Sequence, residues 1–326
     1  MTRTHLFEVS TLFGLATVNA ALRAGQFPDL GRAVLVCSNN ARIPETVADL
    51  SESPAFARLA EPFDRVVSFN EAIAPLHPSV WLPTEAEMPL WERYFRMLWE
   101  LGDEPVHLVV ESIQVPPAQS LAWVFPQASV DVYADGLMSY GPTRNKILSE
   151  VGSRIERLLH LDLVPGLQPL LLEEFEVARE VVPAPVFREV LAGLASAAEL
   201  PATEGRVALL LGQYLSPLGL ISVAAEEALH VEMLEAAVAR GFRRVVFKPH
   251  PTAPTELAGP MLARAGELGA VVEVFGAPVL AETLFERCEI GLVVGCFSTA
   301  LMTAQALYDL PVVRVGTGDL LAALKP

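Results

Sequence analysis

Short apolar runs rich in β-branched residues recur along the 326-residue chain, separated by stretches with a helical period. Segments 5–10, 32–38, 65–69, 106–111 and 129–133 read as strands, because runs of this length bounded by turn residues suit a sheet covered on both faces. Segments 12–22, 91–101 and 117–125 read as helices. The aromatic side of the second (Trp91, Tyr94, Phe95, Trp99) reads as core packing. Helical spacing also predicts helices over 146–159 and 171–180. Pro183, Pro185 and the run from Pro201 to Gly205 then break the pattern. Beyond them the alternation resumes, with strands at 206–211, 244–247, 271–275, 290–294 and 311–315 and helices at 223–240, 255–268, 280–287 and 300–307.

Strands separated by helices predict βαβ units and parallel sheets. The expected architecture is α/β, two Rossmann-like domains facing a cleft: 1–181, a connection over 182–205, and 206–326. The proline-rich segment 71–89 is a candidate flap.

Composition narrows the function classes. Hydrophobic residues make up 52% of the chain, yet no apolar run approaches the roughly 18–20 residues that span a bilayer. The N-terminus lacks a signal-peptide pattern. Cys37, Cys288 and Cys296 form neither a disulfide framework nor a zinc spacing. A reduced, cytoplasmic protein is expected, and its apolar content is compatible with peripheral contact at the inner face of the membrane. A net charge of −16 argues against nucleic acid, which needs a broad basic surface. The sparse basic residues gather at Arg144 and Lys146, and again at Arg240, Arg243, Arg244 and Lys248, beside His250.

Three strand ends carry the candidate chemistry. In Lys248-Pro249-His250-Pro251 two prolines bracket an imidazole, fixing it just past the strand edge where open α/β sheets bind ligands. With Lys248 alongside, it reads as an anion site or as a proline-rich turn. In Gly295-Cys296-Phe297-Ser298-Thr299 a glycine turn leads into two hydroxyls that open a helix. Ser298 or Thr299 there serves as an N-cap, or the helix start gathers an anion. In Asp131 to Tyr140, Asp135-Gly136 is a common turn that can also aim a carboxylate at a hydroxyl proton. Gly212-Gln213 ends another strand and either approaches a nucleotide or simply turns. Arg144 and Lys146 offer cations to an anionic acceptor or to solvent. His230, beside Glu226 and Glu232, reads as part of a solvated helix face, and Gly316-Thr317-Gly318 as a turn.

Taken together, Asp135-Gly136, the Lys-Pro-His-Pro run and the Ser298-Thr299 pair, in this order and at domain-scale separation, resemble the bacterial sialyltransferases, most closely the α-2,8-polysialyltransferase-like family. The resemblance spans most of the chain. It implies a GT-B fold with a glycan acceptor on the N-terminal domain and CMP-sialic acid on the C-terminal one. It implies that His250 binds or protonates the leaving phosphate, that Ser298 and Thr299 hold it, and that Glu282 meets the nucleoside. Lys248, Pro249, Gly212 and Gln213 complete the expected donor side, and Ser10, Tyr140 and Arg144 the acceptor side.

The family's base comes from an acidic pair whose first member is Ala134 here, which leaves Asp135, or another carboxylate such as Asp131 or Glu111. Sialyl transfer passes through an oxocarbenium-like state with a base on one face and phosphate leaving from the other, inverting the centre. No Asp-x-Asp tripeptide occurs, and the remaining histidines (His5, His77, His107, His160, His230) show no ligand spacing. A metal-independent, cofactor-free transfer onto a cell-surface or capsular glycan is expected. Two alternatives stand beside it: a glycerophosphotransferase of the CDP-glycerol type, and a non-catalytic glycan- or nucleotide-binding relative, which Ala134 favours.

Overall fold

The computed structural model describes residues 3–41, 49–134, 136–201, 205–250 and 253–323, apart from the side chains at 197, 255, 319 and 323. The chain divides into two compact units, Met1–Val190 and Leu191–Pro326.

The first unit runs β1 (Thr4–Val9), α1 (Leu12–Arg23), β2 (Arg32–Cys37), α2 (Phe56–Ala60), β3 (Arg65–Ser68), α3 (Phe69–Ile73), α4 (Met88–Leu98), β4 (Val106–Val110), α5 (Ala118–Val124), β5 (Ser129–Tyr133), α6 (Ser149–Gly152), β6 (Ile155–His160) and β7 (Ala178–Val181). Its seven strands pair in parallel in the order β3-β2-β1-β4-β5-β6-β7. All six residues of β1 and all five of β4 are buried, which explains why these strands read as continuous runs rather than alternating ones. The order reverses between β1 and β4, the switch point of a doubly wound sheet.

The aromatic face of α4 enters the core as expected. Phe95 stacks on Trp99 with centroids 4.3 Å apart, and Trp91 and Tyr94 pack against the same cluster. Segment 71–89, expected as a flap, is pinned to that core. Trp81 is buried edge-on against Phe69 and Trp91, and its carbonyl accepts the Ser120 hydroxyl.

Two predicted helices are corrected. Within 146–159 only the four residues of α6 are α-helical, and strand β6 follows. Ile155, Leu158 and Leu159 have helical spacing, but they are buried between β5 and β7 through a register shift at Val130/Asp131. Arg157 secures the strand, binding Asp131 Oδ2 at 2.8 Å on β5 and Glu180 Oε2 at 2.7 Å on β7. Within 171–180, Leu172 adopts a left-handed φ of 63°. Its N–H donates to Thr143 Oγ1 at 2.9 Å, and β7 follows in place of a helix. The region 182–205, expected as a connection, contains a fourteen-residue helix, α7 (Ala184–Ala197), and the boundary between the units falls inside it.

The second unit continues with β8 (Val207–Leu211), α8 (Val223–Ala239), β9 (Arg244–Lys248), α9 (Gly259–Glu267), β10 (Val271–Val274), α10 (Ala281–Arg287), β11 (Ile290–Gly295), α11 (Thr299–Tyr308), β12 (Val312–Arg314) and α12 (Thr317–Ala323). Its five parallel strands pair in the order β10-β9-β8-β11-β12, so here the order reverses between β8 and β11. Apolar clusters cover both faces of the sheet. No described helix is long and apolar enough to cross a membrane.

Candidate functional site

Three neighbouring strands of the second unit end in one row. Leu211, the last residue of β8, pairs with Lys248 of β9 on one side and with Gly295 of β11 on the other. At roughly 4.8 Å between strands, Gly212-Gln213, Pro249-His250 and Cys296-Phe297-Ser298 therefore leave the sheet side by side, around the reversal of strand order. This is the edge where doubly wound sheets hold nucleotides.

Gly212 is dictated by the neighbouring strand end. Its N–H donates to Lys248 O at 2.8 Å. A Cβ at this position would sit 2.9 Å from both the Pro249 Cα and the Phe247 ring, so only glycine allows β8 and β9 to leave together. Gln213 is buried, its Nε2 donating to Leu211 O at 3.2 Å. Tyr214 then lies on His250, ring centroids 5.2 Å apart and planes at 19°.

Glu226 on α8 holds the loop that presents Tyr214. Fully buried, it accepts the N–H groups of Leu215 (2.9 Å) and Ser216 (2.8 Å) and the Ser216 hydroxyl. Burial acts to raise its pKa, but these donors outweigh it and hold the carboxylate below the usual range. The expectation of a solvated α8 face at His230 is corrected in the same place. His230 is buried, edge-on to Phe247 at 5.0 Å, with Nδ1 at 3.2 Å from Leu257 O, because this side of α8 packs on the sheet. Tyr214 and Glu226 are the site residues that sequence reasoning missed. The signal for Glu226 was its place in the first turn of α8, eleven residues after Leu215.

The cations of this edge are partly desolvated. Lys248 is buried and donates to Ala277 O at 2.9 Å, and burial lowers its pKa to about 8. His250 is exposed at its edge but crowded from behind. Desolvation first, and then the Lys248 charge, lower its pKa below the usual imidazole value, against a smaller opposing pull from Glu226.

Ser298 caps the ten-residue α11, its hydroxyl accepting from Ala300 N at 3.2 Å, and Thr299 is the first helical residue. Thr317 at the start of α12 donates to Cys296 O at 2.5 Å, bracing this loop. Glu282 is buried between α10 and α11, where it accepts the Thr303 hydroxyl at 2.9 Å, and burial raises its pKa. It thus meets the first turns of α11 rather than open solvent.

In the first unit, Asp135 lies outside the described residues, and Ala134 is buried just past β5. Asp131 is corrected as an alternative base. It is buried on the sheet face, bound to Arg157 at 2.8 Å and to His107 Nε2 at 3.0 Å. Tyr140 stitches its own loop, accepting from Leu163 N at 2.9 Å and donating to Leu161 O at 3.2 Å. Arg144 and Lys146 are exposed.

Ser10 sits at the β1–β4 switch point on a cavity of about 330 Å³ lined by Glu8, Ser79, Glu111 and Ser112 among others. Ser10 Oγ donates to Glu111 Oε2 at 2.5 Å, and Thr11 Oγ1 donates to Oε1 at 3.1 Å. Among the described residues, no group of three or more His, Cys, Asp or Glu is placed to hold a metal ion.

The family model described as "Alpha-2,8-polysialyltransferase (POLYST)" matches residues 5–317. No curated protein sequence matches the chain. Among solved structures, the S. aureus MnaA–UDP co-structure is similar at 13% identity and a TM-score of 0.52, covering 100% of this chain and 84% of that one. A putative UDP-N-acetylglucosamine 2-epimerase from Listeria monocytogenes is similar at 10% identity and a TM-score of 0.51, covering 95% and 78%. The GT-B domain of a sialyltransferase from Photobacterium damselae gives 12% identity and a TM-score of 0.48 over 94% and 89%. The fold is GT-B, with two Rossmann-like units.

Proposed function

As the chain belongs to the alpha-2,8-polysialyltransferase family, a family of glycosyltransferases that act on a nucleotide-sugar donor and a glycan acceptor, we propose that it moves sialic acid from CMP-sialic acid to an acceptor hydroxyl, with inversion and without a metal ion. The observation that carries this reading is the row Lys248–Leu211–Gly295, in which His250 and Ser298 follow the two strands that flank β8.

The leaving CMP gains negative charge as the glycosidic bond lengthens. In a metal-independent transfer that charge falls to protein groups. The start of α11 offers the positive end of its dipole, with Ser298 and Thr299 supplying hydroxyls. Lys248 offers a cation behind the strand end. His250 is neutral before the donor binds; a phosphate beside it favours the imidazolium, which then donates its proton to the departing oxygen. Gly212 lets the nucleotide approach the backbone, and Gln213 and Pro249 shape its floor. Glu282, through Thr303, braces the α11 start that faces the nucleotide. Ser10, Tyr140 and Arg144 belong to the acceptor side, where the exposed cations suit an anionic glycan.

Calorimetry with CMP and CDP-glycerol, followed by a CMP-release assay on CMP-sialic acid, tests the reading. Binding of CMP with release from CMP-sialic acid supports it. Preference for CDP-glycerol moves the chain to glycerophosphate transfer. CMP binding without turnover makes it a binding protein derived from such an enzyme.

A further inference from the structure

Transfer to a hydroxyl needs a group that takes the hydroxyl proton, and among the described residues the carboxyl edge of the first unit offers few. Position 134, just past β5, is a buried methyl. Asp131 is consumed by Arg157 and His107. Two carboxyl groups remain on the switch-point cavity, Glu8 at the end of β1 and Glu111 just past β4. They are not equivalent. Glu8 accepts the Ser38 hydroxyl at 2.8 Å. Desolvation, and then the neighbouring Glu111 charge, push its pKa up to about 8, so it keeps its proton at neutral pH. Glu111 accepts three hydrogen bonds, from Ser10 Oγ at 2.5 Å, Thr11 Oγ1 at 3.1 Å and Ser10 N at 3.3 Å. Glu111 is itself buried, whereas Ser10 is half-buried and lines the cavity. A ligand in the cavity meets the more exposed Ser10 hydroxyl, which is bonded to Glu111.

We propose that Ser10 and Glu111 form the proton relay that activates the acceptor hydroxyl in the cavity at the β1–β4 switch point. The proposal rests on the sialyl-transfer reading and names its base. The acceptor O–H proton passes to Ser10 Oγ as the Ser10 proton passes to Glu111 Oε2. The acceptor oxygen bonds to the anomeric carbon, and the bond from that carbon to the CMP phosphate oxygen breaks, its electron pair leaving with the phosphate. Glu111 ends the step as a neutral acid and returns its proton to water. Thr11, the N-cap of α1, fixes the far oxygen of Glu111 so that Oε2 faces Ser10. Among the described residues, the titratable groups near Glu111 include Glu8 on β1 and Tyr133 on β5, whose hydroxyl donates to Glu8 O at 2.8 Å.

The test is transfer from CMP-sialic acid to a tagged α-2,8-linked oligosialic acid, with CMP affinity measured in parallel. Glu111→Gln is expected to lower transfer by about 10²-fold or more, the span of a lost general base, while binding CMP as the wild type does. Its residual rate should climb steadily with pH as hydroxide takes over, where the wild-type rate levels off, and Glu111→Asp should recover part of the loss. A purely structural Glu111 would leave the shape of that profile unchanged, and such a result overturns the proposal. Should Glu111→Gln fail to fold, Ser10→Ala serves, with transfer expected to fall about tenfold at unchanged CMP affinity; a wild-type rate overturns the relay. Asp135→Asn losing transfer while Glu111→Gln retains it returns the role to Asp135. A wild-type chain that binds no CMP and transfers nothing contradicts the donor reading instead, and the relay falls with it.

Discussion

Tyr214 lies almost flat against His250, its ring centroid 5.2 Å away and the planes 19° apart. The two residues follow adjacent strands, β8 and β9, and the stack holds the imidazole from one side. Glu226 makes the arrangement rigid by binding both N–H groups of the Leu215-Ser216 turn. Tyr214→Ala should lower turnover about tenfold through loss of orientation, with Tyr214→Phe near wild type because it keeps the stack. Steady-state kinetics on both variants check this; equal losses would assign the role to the hydroxyl.

Donor binding should take up a proton. Before binding, desolvation and the Lys248 charge keep His250 below the usual imidazole pKa, so it is largely neutral at pH 7. A phosphate raises that pKa, and the ring fills. Lys248, with a pKa of about 8, is already about nine-tenths protonated at pH 7 and adds little there. Calorimetry of CMP binding at pH 7 in buffers of different ionisation enthalpy should show net uptake. His250→Asn should abolish most of it, leaving the Lys248 share to emerge near pH 8.

Gly212→Ala tests the close departure of β8 and β9. The added Cβ meets the Pro249 backbone at 2.9 Å, which cannot rotate away as a flexible side chain would. Overpacking of this kind costs about 1–3 kcal/mol, to be read from urea unfolding. Because the shift falls on Pro249 and His250, CMP affinity should drop as well; a variant of unchanged stability and affinity would show that the row of strand ends tolerates a side chain.

Stability should depend on pH through two buried groups of the first unit with opposite slopes. Glu8 has its folded pKa raised from 4.5 to about 8. Its contribution is complete below pH 4.5 and is lost as pH rises towards 8, because the unfolded chain releases the proton first. His5 has its pKa lowered from 6.5 to about 4 by burial and by His107. The unfolded chain binds that proton first, so stability falls as pH drops from 6.5 towards 4. Between pH 6.5 and 8 only the Glu8 slope remains of the two, worth on the order of 2 kcal/mol. Urea unfolding at those two pH values should show that loss in the wild type, and Glu8→Gln should remove it. His5→Leu should flatten the acid limb only.

The alternation of strands and helices was legible because each buried strand is a short apolar run closed by turn residues. His250, Gly212 and Ser298 stood out for the same reason, since a strand end is where an apolar pattern meets proline, glycine or hydroxyl. Where the pattern was ambiguous, tertiary context decided. Ile155, Leu158 and Leu159 carry helical spacing, but Arg157 needs Asp131 and Glu180 on either side, which only a strand between β5 and β7 provides. Glu226 and His230 read as surface because charge was taken as exposure. A carboxylate that satisfies two backbone N–H groups is buried at little cost, and nothing in the local sequence announces the turn it caps. Ser10 and Glu111 are 101 residues apart; their contact follows from the β1–β4 pairing, which sequence periodicity does not specify.

The most direct test of the donor site is CMP release from CMP-sialic acid by the wild type and by His250→Ala, with CMP affinity measured on both. The wild type should release CMP in the presence of acceptor, and His250→Ala should lose about 10²-fold or more of that rate. A wild type that neither binds CMP nor consumes CMP-sialic acid, or a His250→Ala chain that turns over as fast as the wild type, would contradict the account.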